Sequence, residues 1–91
     1  MTPEYLAGLF DGKGHIEILP NKTLRVGLRV AGDVPKKLVR KFGGSCFMYI
    51  GKPWFRIQGE KAVSFLEYIL PHVQVTKNDV KTALNVVRDT R

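Results

Sequence analysis

Residues 5–18 read YLAGLFDGKGHIEI, and the rest of the chain is arranged around this segment. Its first half, Leu6–Phe10, is an unbroken nonpolar run, which favours a helix that is covered on most sides. From residue 15 to residue 18, polar and apolar side chains alternate with period two, as they do in a half-buried strand. We therefore predict a short helix that stops at Gly12 and Gly14 and continues as a strand.

The predicted helix has a clear start and one unusual interior residue. Thr2 can cap it, and Pro3 suits its first position. Gly8 lies in the middle, where glycine costs roughly 1 kcal/mol relative to alanine. A second copy of the helix packed across a twofold axis would compensate for that cost. We therefore expect a homodimer whose interface contains Leu6, Ala7, Gly8, Leu9 and Phe10.

The composition describes one small, basic domain. The chain has 91 residues, 44% of them hydrophobic, so we expect a single folded domain over residues 1–91. Fifteen Lys and Arg against eight Asp and Glu give a net charge of +7. This excess favours a polyanionic partner, although charge that serves only solubility is the alternative.

Cysteine and histidine are too few for several classes of site. Cys46 is the single cysteine, so an internal disulfide is excluded and a reducing compartment is expected. With only His15 and His72 besides, neither a zinc site nor a catalytic thiol is expected. No apolar run reaches the 18 or more residues of a membrane helix, and no signal peptide is visible. We expect no membrane partner and an intracellular location, cytoplasmic or nucleoid-associated, with a phage, bacterial or organellar origin possible.

The remaining elements follow from periodicity and turn residues. Asp33 is expected to cap the second helix, and Gly43 and Gly44 to end it. The predicted order is α-β-β-α-β-β-α-α in an α+β fold. The expected elements are strands at 14–19 and 23–31, a helix at 34–42, strands at 45–50 and 54–58, a helix at 60–70 and a last helix that begins at Thr76, with turns at 20–22 and 51–53.

The run LAGLFDGKG, residues 6–14, resembles the signature of the LAGLIDADG homing endonucleases. Eight of its nine positions match when similar residues count, and it lies at a helix-to-strand junction as the family requires. Residues 42–44, the strand at 54–57 and residues 59–71 are also similar to small family members, so the resemblance covers the chain to about Leu84. It implies a half-domain with a four-stranded antiparallel sheet. One motif per chain implies a homodimer whose sheets form a DNA-binding saddle.

Strand alternation selects the side chains that would meet duplex DNA. Arg25 and Arg29 lie opposite an apolar face and are the strongest candidates; a solvated sheet face is the alternative. Phe55 and Ile57 are assigned to the core, and Trp54 is left open between core and surface. The resemblance adds Lys77, near a family lysine position. The full set of expected DNA contacts is His15, Glu17, Lys22, Arg25, Arg29, Tyr49, Lys52, Arg56, Gln58 and Lys77.

The resemblance also implies metal-dependent phosphodiester hydrolysis, which needs carboxylates near the dimer axis. The family ligand position is Lys13, and an ammonium cannot bind Mg²⁺. Asp11 remains, but it is not the principal family ligand. Two supporting positions also differ: residues 30–32 read Val-Ala-Gly where the family carries Gln or Asn, and Thr76 stands near the lysine position. The candidate catalytic residues are thus Asp11 and Lys13, the latter expected to be non-catalytic, and no metal is expected unless at Asp11.

Three functions remain open from the sequence. The first is a sequence-specific duplex-DNA-binding protein, derived from a homing endonuclease, without a cofactor, for which regulation is one use. The second is a Mg²⁺-dependent homing endonuclease, or a mutant of one inactivated at Lys13. The third is an RNA-binding intron maturase. In the first, Lys13 contacts phosphate in place of a metal; otherwise it simply points to water.

Overall fold

The computed structural model describes residues 2–89, without the side chain of residue 89. This part of the chain forms four helices and four strands in the predicted order, which confirms the α+β prediction. The elements are α1 (Pro3–Lys13), β1 (Gly14–Ile18), β2 (Leu24–Arg29), α2 (Val34–Phe42), β3 (Ser45–Tyr49), β4 (Lys52–Gln58), α3 (Glu60–Ile69) and α4 (Lys77–Asp89).

The strands form one antiparallel sheet in the order β1-β2-β4-β3. Alternate side chains of the two central strands are buried: Val26 and Leu28 on β2, and Phe55 and Ile57 on β4. They belong to a core that also contains side chains of all four helices, so the helices cover this face of the sheet. Phe55 and Ile57 are therefore core residues, as predicted.

The start of α1 is as predicted, but its end is not. The Tyr5 amide donates to Thr2 Oγ1 at 3.2 Å, and Pro3 occupies the first turn. The prediction that Gly12 stops the helix is wrong, because α1 continues to Lys13. Gly14 ends it with extended backbone at φ −93°. Its small size matters more than its conformational freedom, because a Cβ at Gly14 would overlap the ring of Phe10.

The core of the single chain already covers much of α1. Leu6, Ala7 and Phe10 are at most 1% exposed, and Phe10 packs edge-on against Phe65 with ring centroids 6.3 Å apart. Gly8 is exposed, and no atom of another element lies within 4 Å of where its Cβ would be. The accessible part of the expected dimer interface is thus narrower than the five residues from Leu6 to Phe10.

Two further boundaries correct the sequence predictions. Asp33 lies at the N-cap position of α2, but its side chain makes no capping hydrogen bond and instead pairs with Lys37 Nζ at 3.6 Å.

The second hairpin turn is shorter than the predicted 51–53 turn. It consists of Ile50 and Gly51, both with positive φ (52° and 73°), so β4 already begins at Lys52. Two consecutive residues with positive φ match a type I′ hairpin turn, which allows the strands to pair up to Lys52.

Within residues 2–89, no helix is both long and apolar enough to cross a membrane.

Candidate nucleic-acid interface

The sheet face opposite the helices, here called the outer face, holds most of the candidate DNA contacts. Residues paired across antiparallel strands project from the same face, so the register defines this surface. Glu17 lies opposite Arg25, and Arg25 opposite Gln58. The outer face consists of His15, Glu17, Arg25, Gly27, Arg29, Ser45, Phe47, Tyr49, Lys52, Trp54, Arg56 and Gln58.

One edge of the outer face contains an ion-pair network. Arg25 Nη2 donates to Glu17 Oε2 at 2.7 Å, and His15 Nε2 lies 3.4 Å from Glu17 Oε1. The hydrogen bond from Arg25 is the main cause that lowers the pKa of Glu17; the charges of Arg25 and His15 add to it, while partial burial opposes it. The Glu17 carboxylate therefore orients Arg25, and a base that either residue contacts must compete with this pair.

Trp54, left open by the sequence, lies half-buried on the outer face. Its ring meets His15 edge-on, with centroids 5.6 Å apart. Gly27 lies opposite His15 on β2, the strand between β1 and β4. A Cβ at Gly27 would overlap the His15 ring. The glycine therefore makes the space in which His15 lies. The Trp54 indole N–H is buried without a hydrogen-bond partner among the described residues.

Sequence reasoning missed two members of the outer face, Ser45 and Phe47. Both lie on the edge strand β3, opposite Arg56 and Trp54 respectively. The guanidinium carbon of Arg56 sits 4.9 Å from the centre of the Phe47 ring, a cation–π contact. The alternation of Ser45, Phe47 and Tyr49 could have revealed them, because Tyr49 was already an expected DNA contact.

The expected DNA contacts divide between the two ends of the sheet. Lys22 is in the β1–β2 turn at one end, near the end of β4 at Gln58. At the other end, Lys13, Arg29 and Lys52 line one cavity of about 210 Å³. These three cations come from α1, β2 and β4, so they are far apart in sequence and are brought together by the fold.

Lys77 and Asp11 lie elsewhere, at the junction of α1 and α4. Lys77 lines a cavity with Gly8 and Asp11, and no outer-face residue belongs to that lining. The two oxygens of Asp11 accept three hydrogen bonds: from the Gln74 amide at 2.8 Å, the Thr76 amide at 2.9 Å and the Thr76 hydroxyl at 2.7 Å. Asp11 thus fixes the segment that leads into α4.

These hydrogen bonds change the pKa of Asp11. Partial burial pushes the pKa of Asp11 upward, but the Thr76 hydroxyl and the amides of Gln74, Thr76 and Val75 together outweigh it and lower the pKa. The carboxylate is charged and engaged at neutral pH, next to the positive end of the α4 dipole.

The side chains around Lys13 do not suit a divalent cation. Mg²⁺ requires oxygen ligands, and Lys13, Arg29 and Lys52 supply only cationic nitrogen. Between residues 2 and 89 there is no group of three or more His, Cys, Asp or Glu side chains that could hold a metal. Asp11 is the acid nearest in sequence, and its oxygens already accept hydrogen bonds. The donor set here fits an anion better than a metal.

Comparison with known proteins identifies the fold. No protein-family model and no curated protein sequence matches the chain. Its structure is similar to that of the homing endonuclease I-CvuI in complex with its target in the presence of 2 mM Ca, with a TM-score of 0.81 and 19% identity. A second I-CvuI structure, with an I-CreI target and 2 mM Mg and the DNA not cleaved, gives a TM-score of 0.77 and 19% identity.

Both matches cover 94% of this chain and 65% of the I-CvuI chain, so the chain spans slightly less than two thirds of its structural neighbour. The helix-to-strand motif, the four antiparallel strands and the helices on one face all take part in this similarity. The chain has the fold of a LAGLIDADG homing-endonuclease half-domain.

Proposed function

We propose that the chain is a homodimeric, sequence-specific duplex-DNA-binding protein that does not cleave its site. The observation that carries the proposal is the outer face. It presents Arg25, Arg29, Arg56 and Lys52 on a sheet whose opposite face is a closed apolar core. Only one acidic side chain, Glu17, shares the outer face.

A strand-based surface of this kind suits the major groove. The groove is wide enough for a two-stranded antiparallel ribbon, and side chains two residues apart along a strand can reach successive base edges. Arginine is suited to the acceptors of guanine, and Gln58 to adenine. The net charge of +7 supplies attraction to the phosphate backbone. The fold similarity supports the same partner, because the I-CvuI structures are complexes with DNA targets.

The homodimer is part of the proposal, with α1 at its centre. Gly8 lies on the accessible side of α1 and leaves room for the backbone of a second helix. Leu9 is half-buried, and Tyr5 is 48% exposed. Contact of these residues with a second copy would compensate for the cost of a mid-helix glycine.

The absence of cleavage follows from the chemistry around Lys13. Hydrolysis by this fold relies on metal ions to activate water and stabilise the leaving oxygen. Lys13 is a fixed positive charge at the position of the expected ligand, and Arg29 and Lys52 line the same cavity. A metal cation would have to enter against three like charges.

A selection experiment tests the proposal. Duplexes bound by the protein are recovered from a random library, and affinity for the recovered site is compared with affinity for a shuffled duplex and for a structured RNA. We expect one enriched, approximately palindromic site and weak binding to the other two. Enrichment of no site, or tighter binding to RNA, contradicts the proposal; the second result favours the maturase alternative.

Two arginine variants test whether the outer face contacts the selected duplex. Arg25→Ala should weaken binding to the selected duplex by about 1–3 kcal/mol if the side chain reads a base. Arg40→Ala, an exposed arginine of α2, is the matched control. Equal effects of the two substitutions would show that only net charge matters and that the outer face does not read sequence.

A further inference from the structure

Three cations converge on one shallow cavity without an acid among them. The cavity has a volume of about 210 Å³, and it lies where α1, β2 and β4 meet at one end of the sheet. Its lining is Lys13, Arg29, Val30, Ala31, Lys52 and Pro53. Since a water molecule takes up about 30 Å³ of liquid, the cavity has room for a small anion together with some of its hydration.

The charges of this cluster are not compensated within residues 2–89. There, neither Lys13, Arg29 nor Lys52 forms a side-chain hydrogen bond or an ion pair. Some other cations within the described residues do have partners: Arg25 pairs with Glu17, and Arg88 with Glu67 at 2.6 Å. The cavity therefore holds concentrated positive charge that an anion would neutralise.

The three side chains also differ in a useful way. Arg29 is half-buried on β2, and its guanidinium is planar. Such a guanidinium can donate two parallel hydrogen bonds to a tetrahedral oxyanion. Lys13 and Lys52 are exposed and act as mobile point charges on either side. Such a set matches a phosphate group better than a planar carboxylate.

The hairpin turn fixes the backbone position of Lys52. Ile50 and Gly51 reverse the chain in two residues, so Lys52 enters β4 directly and is held in register with Tyr49. A longer turn, as the sequence suggested, would leave Lys52 in a loop. The tight turn therefore places Lys52 beside Arg29 on a rigid strand.

We infer that Lys13, Arg29 and Lys52 form a phosphate-binding site, and that in the bound complex it takes one backbone phosphate of the duplex. The second half of this inference rests on the proposed function. Because Lys13 ends the helix placed at the dimer centre, the two copies of the site would flank the twofold axis. Each would fix the register of the duplex near that axis.

The first experiment uses inorganic phosphate and does not depend on DNA. The protein is titrated with phosphate against chloride at constant ionic strength, and nitrogen–proton NMR signals are followed. The Arg29 side-chain signal and the amides of residues 13 and 52 should shift together and saturate. The shifts should disappear in a Lys13→Gln/Lys52→Gln variant and persist in a Lys36→Gln/Lys81→Gln variant of equal charge. Signals that do not move, or move equally in both variants, overturn the site.

The second experiment identifies the source of the phosphate. A neutral methylphosphonate replaces one phosphate at a time in the selected duplex, and dissociation constants are measured. One position per half-site should weaken wild-type binding about tenfold but have no effect on Lys13→Gln/Lys52→Gln, while Lys36→Gln/Lys81→Gln should respond like wild type. The double variant should also make log affinity less dependent on log salt. We expect the magnitude of that slope to fall by about 0.9 for each half-site, because one phosphate contact is lost in each.

The outcomes separate the two proposals. Phosphate-dependent shifts without a sensitive backbone position would show that free phosphate is the ligand, and would overturn the assignment to DNA. If no duplex is bound at all, the proposed function fails, and the NMR titration still decides whether the cavity binds phosphate.

Discussion

At the scale of single residues, Asp11 makes structural contacts that the sequence did not suggest. The motif resemblance made it a candidate metal ligand, whereas in the structure it accepts hydrogen bonds from the 74–76 segment. Sequence could not show this, because the donors lie more than 60 residues away. The contacts join the end of α1 to the start of α4, so we assign Asp11 a stabilising function.

We expect Asp11→Asn to reduce the free energy of unfolding at neutral pH by about 1–3 kcal/mol, because charged hydrogen bonds are lost and an amide N–H₂ faces donors. The pKa of Asp11 is below its ordinary value of 3.8 in the folded chain. Its contribution is therefore present above that value and lost as the pH falls through the folded pKa. Urea unfolding at neutral pH and near pH 3 measures both effects.

The control is Asp33→Asn, which removes an exposed carboxylate whose ion pair with Lys37 is 3.6 Å long. Such surface pairs contribute about 0–1 kcal/mol. Wild type and Asp33→Asn should lose stability in acid alike, whereas Asp11→Asn should lose less. An acid response of Asp11→Asn identical to that of wild type would show that Asp11 is not held as described.

At the scale of elements, the β3–β4 turn holds Ile50 in a left-handed backbone conformation. Ile50 is 80% exposed with φ 52°, a left-handed conformation that β-branched residues avoid. Asparagine before glycine is the preferred pair for this turn type. Ile50→Asn should therefore raise the free energy of unfolding by about 1 kcal/mol. Val75→Asn, 81% exposed but without positive φ, is the control and should have no such effect. Thermal unfolding compares the two; a destabilised Ile50→Asn would contradict the assigned turn.

The helix α1 gives the second prediction at this scale. Gly8→Leu should leave the single chain as stable as before or more so, since within residues 2–89 no atom of another element lies within 4 Å of a Cβ at this position, and glycine is a poor helix former. The same change should weaken the dimer, because the added side chain holds the two helices apart. Ser64→Leu, exposed in the middle of α3, is the matched control.

Sedimentation equilibrium at micromolar concentration measures the dimer. Wild type and Ser64→Leu should be dimeric, and Gly8→Leu monomeric or weakly associated. A monomeric wild type would remove the dimer from the account, and a dimer unaffected by Gly8→Leu would place the interface elsewhere.

At the scale of the whole molecule, local patterns predicted the fold well. Hydrophobic periodicity and turn residues gave every helix and strand in order, and alternation assigned Arg56 and Phe55 to opposite faces. Errors occurred where three-dimensional neighbours decide. The end of α1 depends on the Phe10 ring beside Gly14. The face of Trp54, which the sequence left open, depends on its register opposite Arg29.

The sequence predicted individual residues of the candidate site, but it did not predict which of them lie together. Each of Lys13, Arg29 and Lys52 was named from the sequence, yet their common cavity depends on the end of α1, the strand register and the two-residue turn together. The shared cavity of Lys77 and Asp11 likewise depends on contacts between α1 and the start of α4. Long-range packing of this kind has no local sequence signal.

The central claim is that this chain binds a duplex without metal and leaves it intact because Lys13 occupies the ligand position. The most direct measurement combines nicking of a supercoiled plasmid that carries the selected site with binding to that site in the presence of chelator. Wild type, Lys13→Glu and the charge-matched control Lys36→Glu are compared with and without Mg²⁺.

We expect wild type to bind equally well in chelator and in Mg²⁺ and to leave the plasmid supercoiled. Lys13→Glu should bind weakly in chelator, because its carboxylate repels phosphate, and should regain affinity when Mg²⁺ is added. Lys36→Glu should not respond to Mg²⁺ in this way. Metal-dependent nicking by wild type would contradict the claim and establish an endonuclease; tight binding of Lys13→Glu in chelator, equal to that of wild type, would show that Lys13 does not face the DNA backbone.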